Sequence, residues 1–231
     1  LRAVWAVRRS FPEDGGEMSL PGLAGEVTVH RDAYGVPQIY AGTAADLFRA
    51  QGWVHAQERF WEMDFRRHVT AGRLSELFGR DQLETDTYLR TLGWRRVAER
   101  EWGIIAEESR GFLQAYADGV NAWLDQHGGG EPSGDVSLEY TVLGLTNRGY
   151  RIERWSPVDS LAWLKAMAWD LRGNMSDEIE RAILAGGGLS RERVGELFPP
   201  YPEDRHRPIV GGGRVSGGAF VAADAGGAGG G

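Results

Sequence analysis

Apolar residues recur at helical spacing through most of this chain. Leu47, Ala50, Val54, Trp61, Phe65 and Val69 stand three, four or seven apart, which is one stripe of a long helix. Trp53 and Phe60 add a second apolar line, so this helix is predicted to be buried on more than one side. Thr43, three residues before Asp46, marks its start, and Gly72 its end. A second amphipathic helix is predicted over 107–126, with Phe112, Leu113, Tyr116, Val120, Trp123 and Leu124 on one face. Ser156-Pro157-x-Asp159 opens a third, with a capping residue, a proline in the first turn and an acid at the positive helix end. Leu161, Leu164, Ala168 and Leu171 continue it. Further helices are predicted over 177–185 and from a cap at Ser190 to Pro199-Pro200, and residues 80–104 read as helical in part.

Elsewhere the period changes. Val27 and Val29 alternate with Thr28 and His30, which predicts a strand, and 37–40 supplies its partner. Between them Asp32-Ala33-Tyr34-Gly35 reads as a tight turn, with Gly35 where a positive φ is needed. The segment 136–152 lacks helical periodicity and holds β-branched and aromatic residues, so loops and short strands are predicted. Prolines and glycines mark 10–25 as a loop, and Gly128 to Gly134 as a break. The glycine-rich end, 201–231, offers little to bury and is expected to be flexible.

Composition narrows the function classes. A chain of 231 residues that is 42% hydrophobic holds one large domain or two small ones. Nine tryptophans imply a large core or interface. A net charge of −7 without a basic run argues against a nucleic-acid partner. The absence of cysteine removes disulfide and thiol chemistry. No apolar run reaches the ~18 residues of a transmembrane helix. The apolar start ending at Arg8-Arg9 reads equally as the remnant of an export signal or anchor and as an ordinary terminus.

A self-sufficient active site is missing from the sequence. His30, His55, His68, His127 and His206 are scattered, without metal-ligand spacing. There is no Gly-x-Ser-x-Gly elbow and no phosphate-binding loop. His55 reads as a satisfied core or interface histidine. Arg59, Arg66, Arg67 and Arg73 read as solvated, or as partners for acids across a subunit interface. A non-catalytic helical binding or scaffold protein fits these observations as well as an enzyme subunit does.

One run is more specific. It reads Arg31-Asp32-x-x-Gly35-Val36-Pro37-x-Ile39, then Asp46-Leu47, then Gln51-Gly52-x-Val54-His55-Ala56-Gln57-x-Arg59-x-Trp61-x-Met63-Asp64, and closes with Gly72-Arg73-Leu74-x-Glu76-x-x-Gly79. It resembles the N-terminal region of the α-subunit of the penicillin acylase (penicillin amidase) family, and weaker similarity continues to about residue 200. The resemblance implies an α+β fold class. This would be a mainly helical subunit contributing to a four-layer αββα sandwich of the N-terminal-nucleophile hydrolases. It divides the chain into an N-terminal extension (1–25), an α-subunit domain (26–200) and a Gly-rich linker (201–231) before an autocleavage site at or near Gly231.

What the resemblance implies for chemistry explains the missing nucleophile. In the family a precursor cuts itself, and the new N-terminal serine of the β-subunit attacks the amide with its own α-amine as base. An α-amine with an unperturbed pKa of ~7.7–8.0 suits a base at neutral pH. No catalytic residue is expected in this chain. The implied substrate is a linear N-acyl amide, such as a β-lactam side chain or an acyl-homoserine lactone. Met167 and Leu171, one turn apart, match the acyl-pocket segment, with plain core packing as the other reading. Asp170 and Leu171 stand where the family commonly has an arginine and an aromatic, which argues against a strict phenylacetyl preference. Glu178, followed by Ile179, matches the carboxylate that this family's α-chain gives to a structural calcium shared with the β-subunit. A periplasmic or secreted location is implied in the same way.

Overall fold

The long apolar stripe becomes the longest helix, α2 (Ala44–Ala71). Thr43 caps it by accepting the Asp46 amide, and Gly72 ends it in the left-handed region at φ 62°. The computed structural model describes residues 2–13, 15–171, 173–200, 202, 205, 213–216 and 219–222. It divides into two units, Leu1–Leu171 and Arg172–Gly231.

In the first unit α1 (Arg2–Arg9) precedes an antiparallel hairpin, β1 (Val27–Arg31) and β2 (Pro37–Ala41), in which Val29 pairs with Ile39. Asp32 builds the turn by accepting the amides of Tyr34 and Val36, and Gly35 takes φ 78° there. After α2 come α3 (Leu74–Phe78), a single 3₁₀ turn, α4 (Leu83–Leu92), α5 (Trp94–Trp102), α6 (Glu107–Gln126), α7 (Leu138–Thr146) and α8 (Pro157–Asp170). The second unit holds α9 (Asn174–Gly186), α10 (Arg191–Leu197) and a hairpin, β3 (Gly213–Ser216) with β4 (Ala219–Ala222). The linker expected over 201–231 lies for the most part outside the described residues, and that hairpin is the main part of it described.

Within 138–146 the helix α7 corrects the expectation of loops and short strands over 136–152, while 147–152 is irregular as expected and no strand forms there. Tyr140 and Leu143 are buried one turn apart, with the Tyr140 ring edge-on to Trp61. Val142 and Leu145 are apolar but exposed, so the pattern is apolar on both faces and its period is hidden.

The core forms where α2 meets α6. Along α2 both predicted apolar lines are buried at their centres: Ala50 and Val54 of the first, though its start at Leu47 is exposed, and Trp53 and Phe60 of the second, joined by Ala56 and Met63. Trp53, Val54, Ala56, Phe60 and Met63 pack with Ala117, Val120, Trp123 and Leu124 of α6. The two backbones touch at two glycines. A Cβ on Gly52 would lie well under 3.0 Å from the Tyr116 carbonyl, and one on Gly119 equally close to the Arg49 carbonyl. Glycine is therefore required at both positions for contact, not for φ. Arg49 pairs with Asp118 at 2.9 Å, and the Trp53 indole donates to Gln126 at 3.2 Å beside this crossing.

Beyond the crossing, α2 carries a buried charge. Asp64 is completely buried. Its carboxylate pairs with the Arg67 guanidinium and accepts the hydroxyls of Tyr140, at 2.7 Å, and Tyr150. Arg67 donates further to the carbonyls of Glu153 and Arg154 at 2.9 and 3.1 Å. Burial and the neighbouring Asp64 charge push both tyrosine hydroxyls above their ordinary range, so they stay protonated donors. Asn121 of α6 completes the anchoring by both donating to and accepting from the Trp155 backbone, at 2.9 and 2.8 Å. The segment 150–155 is thereby fixed against α2 and α6, and α8 leaves from it.

The glycine contact is testable. Gly119→Ala forces α2 and α6 apart and is expected to lower stability by about 1–3 kcal/mol or more. Gly111→Ala on the same helix meets nothing within 4 Å and is expected to be neutral or to stabilise by up to about 1 kcal/mol. Thermal denaturation of the full-length protein with each substitution checks the contrast; equal midpoints would show that the helices are not in backbone contact.

Candidate functional site

Three helices of the first unit, α2, α6 and α8, leave a groove of about 710 Å3 between them. Its walls are mainly apolar: Phe48 and Met63 from α2, Phe112, Leu113 and Tyr116 from α6, and Trp163 from α8, with Trp155 just before it. Phe48 and Phe112 stack at 5.0 Å between ring centroids. Sequence periodicity put Phe112, Leu113 and Tyr116 on the same apolar face as Val120, Trp123 and Leu124, which are buried. The structure leaves the first three half-buried along an open groove.

The α2 wall is interrupted at Arg59, whose φ −151° and ψ 34° leave the helical region. Around this break charged and polar groups line the groove: His55, Arg59, Glu62 and Arg66. His55 and Tyr116 share a hydrogen bond of 3.0 Å. Burial first, and then the Arg59 charge, hold the His55 pKa below the ordinary imidazole value. Burial pushes the Tyr116 hydroxyl up to about 12. Both groups are therefore neutral near pH 7, and the pair supplies no anion.

The arginines resolve differently from the sequence expectation, which left them to solvent or to a partner subunit. Arg66 pairs with Glu62 at 2.5 Å and lies 4.3 Å over the Trp163 ring. Arg67 is buried on Asp64. Arg73 binds Glu76 and Glu153, both at 2.6 Å, and that contact draws the Glu153 carboxyl down to about 2. These three are matched within the chain. Arg59 is not matched closely: its nearest carboxylate is Glu58 at 3.8 Å, and Glu58 already binds Arg31.

The other wall depends on Asp159, buried and paired with Arg95 of α5, and accepting the Ser156 amide at 2.7 Å. This carboxylate both caps α8 and ties it to α5. Sequence reasoning found the cap but not the ion pair, because Arg95 lies 64 residues away.

Met167 and Leu171 continue the α8 face that carries Ser160 and Trp163, beyond the groove. Met167 is 37% exposed and Leu171 76% exposed, so neither is core. Glu178 lies in α9 of the second unit, exposed, and accepts a hydrogen bond from Asn174 at 3.1 Å. Among the described residues no group of three or more His, Asp or Glu side chains converges as a metal site. No serine or threonine hydroxyl among them is hydrogen-bonded to a histidine. No helix among them is long and apolar enough to cross a membrane. The arrangement can bind and position, but it assembles no nucleophile with its base.

Comparison with known proteins gives a consistent assignment. The sequence model of the penicillin amidase family matches residues 26–230. Penicillin acylase 2 proenzyme of Pseudomonas sp. (strain SE83) is 36% identical over 162 residues, 70% of this chain and 20% of that protein. The acyl-homoserine lactone acylase QuiP of Pseudomonas aeruginosa is 33% identical over 195 residues, 84% of this chain and 22% of that one. The chain thus spans about a fifth of the length of these relatives. Among solved structures, a chain of the thermostable penicillin G acylase from Alcaligenes faecalis superposes with a TM-score of 0.57 at 24% identity, covering 84% of this chain and 98% of that one. The fold is that of a mainly helical α+β chain of this enzyme class.

Proposed function

This chain belongs to the penicillin amidase family, and from that premise we propose that it is the α-subunit of a two-chain amidohydrolase. One observation carries the reading. The chain corresponds to about a fifth of a proenzyme yet covers 98% of one separate chain in a solved penicillin G acylase. In this reading the serine hydroxyl lies on a second chain, the β-subunit, cut from the same precursor. Its oxygen attacks the amide carbonyl, the C–N bond breaks, and the amine leaves with a proton. Water then attacks the acyl-serine and releases the carboxylic acid. Family membership favours this enzyme over a non-catalytic helical scaffold.

The substrate proposed is a linear N-acyl amide. The relatives' names include a penicillin acylase and an acyl-homoserine lactone acylase, so the acyl group is left to be determined. Met167 and Leu171 are proposed to border the acyl group. Their exposure on one face at the end of α8 supports this, because it leaves both side chains accessible to a bound acyl group.

A structural calcium shared with the β-subunit belongs to the same proposal. Ca²⁺ takes six to eight oxygens, and Glu178 fits as one exposed carboxylate donor. The remaining oxygens would come from the second chain. The ion would hold the chains together and take no part in bond-making. Export to the periplasm or outside the cell, the extension 1–25 and the linker 201–231 rest on the family alone.

Replacing the serine at the start of the proposed β-subunit by alanine is expected to leave one uncut chain by intact-mass analysis; two chains from that variant would remove autocleavage. Glu178→Ala is expected to lower the calcium bound by the purified protein and to impair maturation, and unchanged calcium by elemental analysis would take Glu178 out of the site. Leu171→Ala is expected to shift kcat/KM toward longer acyl groups by about 1–3 kcal/mol, without abolishing turnover. A ladder of acyl lengths that gives the wild-type profile would separate Leu171 from the acyl pocket.

A further inference from the structure

The groove between α2, α6 and α8 lies outside the proposed acyl site, and neither Met167 nor Leu171 lines it. It combines three properties. It is large, at about 710 Å3, and apolar, with half-buried Phe112, Leu113, Tyr116 and Trp163 facing it. Large aromatics standing along an open groove are the composition of an interface core rather than of a solvated surface. It is also unbalanced in charge. Glu62 matches Arg66, Asp64 matches Arg67, and Asp159 matches Arg95, while His55 and Tyr116 are neutral. Arg59 alone faces the groove with only a carboxylate 3.8 Å away that Arg31 already engages. Finally, about four-fifths of the length of the related proteins lies outside the region this chain matches.

We propose that this groove seats a segment of the β-subunit that inserts an apolar side chain between Phe112 and Trp163 and sets a carboxylate against Arg59. The inference rests on the two-chain reading given above and adds to it the place of docking and the chemistry of the docking segment. An acidic, aromatic-bearing segment satisfies both walls at once. Burial of the aromatics supplies the association energy, and the single excess cation selects the register. The cation sits at the break in α2.

The test uses the full-length precursor. A photo-crosslinking p-benzoyl-phenylalanine placed at Phe112 is expected, on irradiation of the mature protein, to give a covalent product joining this chain to a β-subunit peptide that contains Asp or Glu. Arg59→Gln is expected to raise dissociation of the two chains in urea on the order of tenfold or more. Arg148→Gln, exposed and away from the groove, is expected to leave dissociation unchanged. Crosslinks that fall only within this chain, or onto a second copy of it, would overturn the proposal while leaving the two-chain reading intact. So would a groove that stays open in the mature protein and takes up a small amphiphilic carboxylate such as decanoate at Arg59. A precursor that never yields two chains would instead sink the two-chain reading itself, and the docking proposal with it.

Discussion

The carboxylate of Asp64 holds together parts of the first unit that are far apart in sequence. A charge without access to water is tolerated only when paired and hydrogen-bonded, so each of its partners is obligatory. Arg67 comes from the same helix, but Tyr140 comes from α7 and Tyr150 from the irregular segment before α8. Through Arg67 the network also grips the carbonyls of Glu153 and Arg154. The start of α8 is therefore fixed relative to α2 by polar geometry, not by apolar packing alone. Everything α8 presents, from Asp159 to the exposed Met167 and Leu171, inherits its position from that arrangement.

The groove arises from a change along the α2–α6 pair. At Gly52 and Gly119 the backbones are in contact and leave no room even for a methyl group. One turn beyond, the His55 ring reaches the Tyr116 hydroxyl across the pair. Further on, Arg59 and Phe112 border open space. Tight contact at one place and an opening beside it come from the same pair of helices. In the proposed enzyme the rigid crossing would serve as the fixed end, and the groove as the receiving end, of the subunit contact.

Much of this was legible in the sequence. Caps at Thr43, Ser156 and Ser190, the turn at Asp32–Gly35 and the glycine end of α2 all act locally, so residue type and spacing reveal them. The family motif was also legible, and several of its residues now have physical roles: Gly52 in the helix contact, Asp64 in the buried network, Arg73 and Glu76 in an ion pair that Glu153 joins. What escaped was non-local. The helix α7 hides its period because apolar residues lie on both faces. Besides one partner three residues away, Asp64, Arg73 and Asp159 each have partners 64 to 86 residues away, where no spacing rule reaches. The groove escaped for a related reason: an amphipathic pattern marks which residues seek cover, but not whether the cover comes from the same chain.

The distance between Asp64 and its partners also bears on synthesis. Tyr140 and Tyr150 follow it by 76 and 86 residues. At about 5–20 residues per second, a ribosome delivers them roughly 4 to 17 s after Asp64. Through that interval the carboxylate has to remain hydrated, so the second half of α2 cannot be sealed into the core, however well α2 and α6 already pair. A nascent chain halted before Tyr140 would hold Asp64 beside Arg67 but without either tyrosine hydroxyl, and Trp61 without the edge contact of the Tyr140 ring. Only when the second tyrosine emerges can the carboxylate complete its hydrogen bonds and the interior close around it.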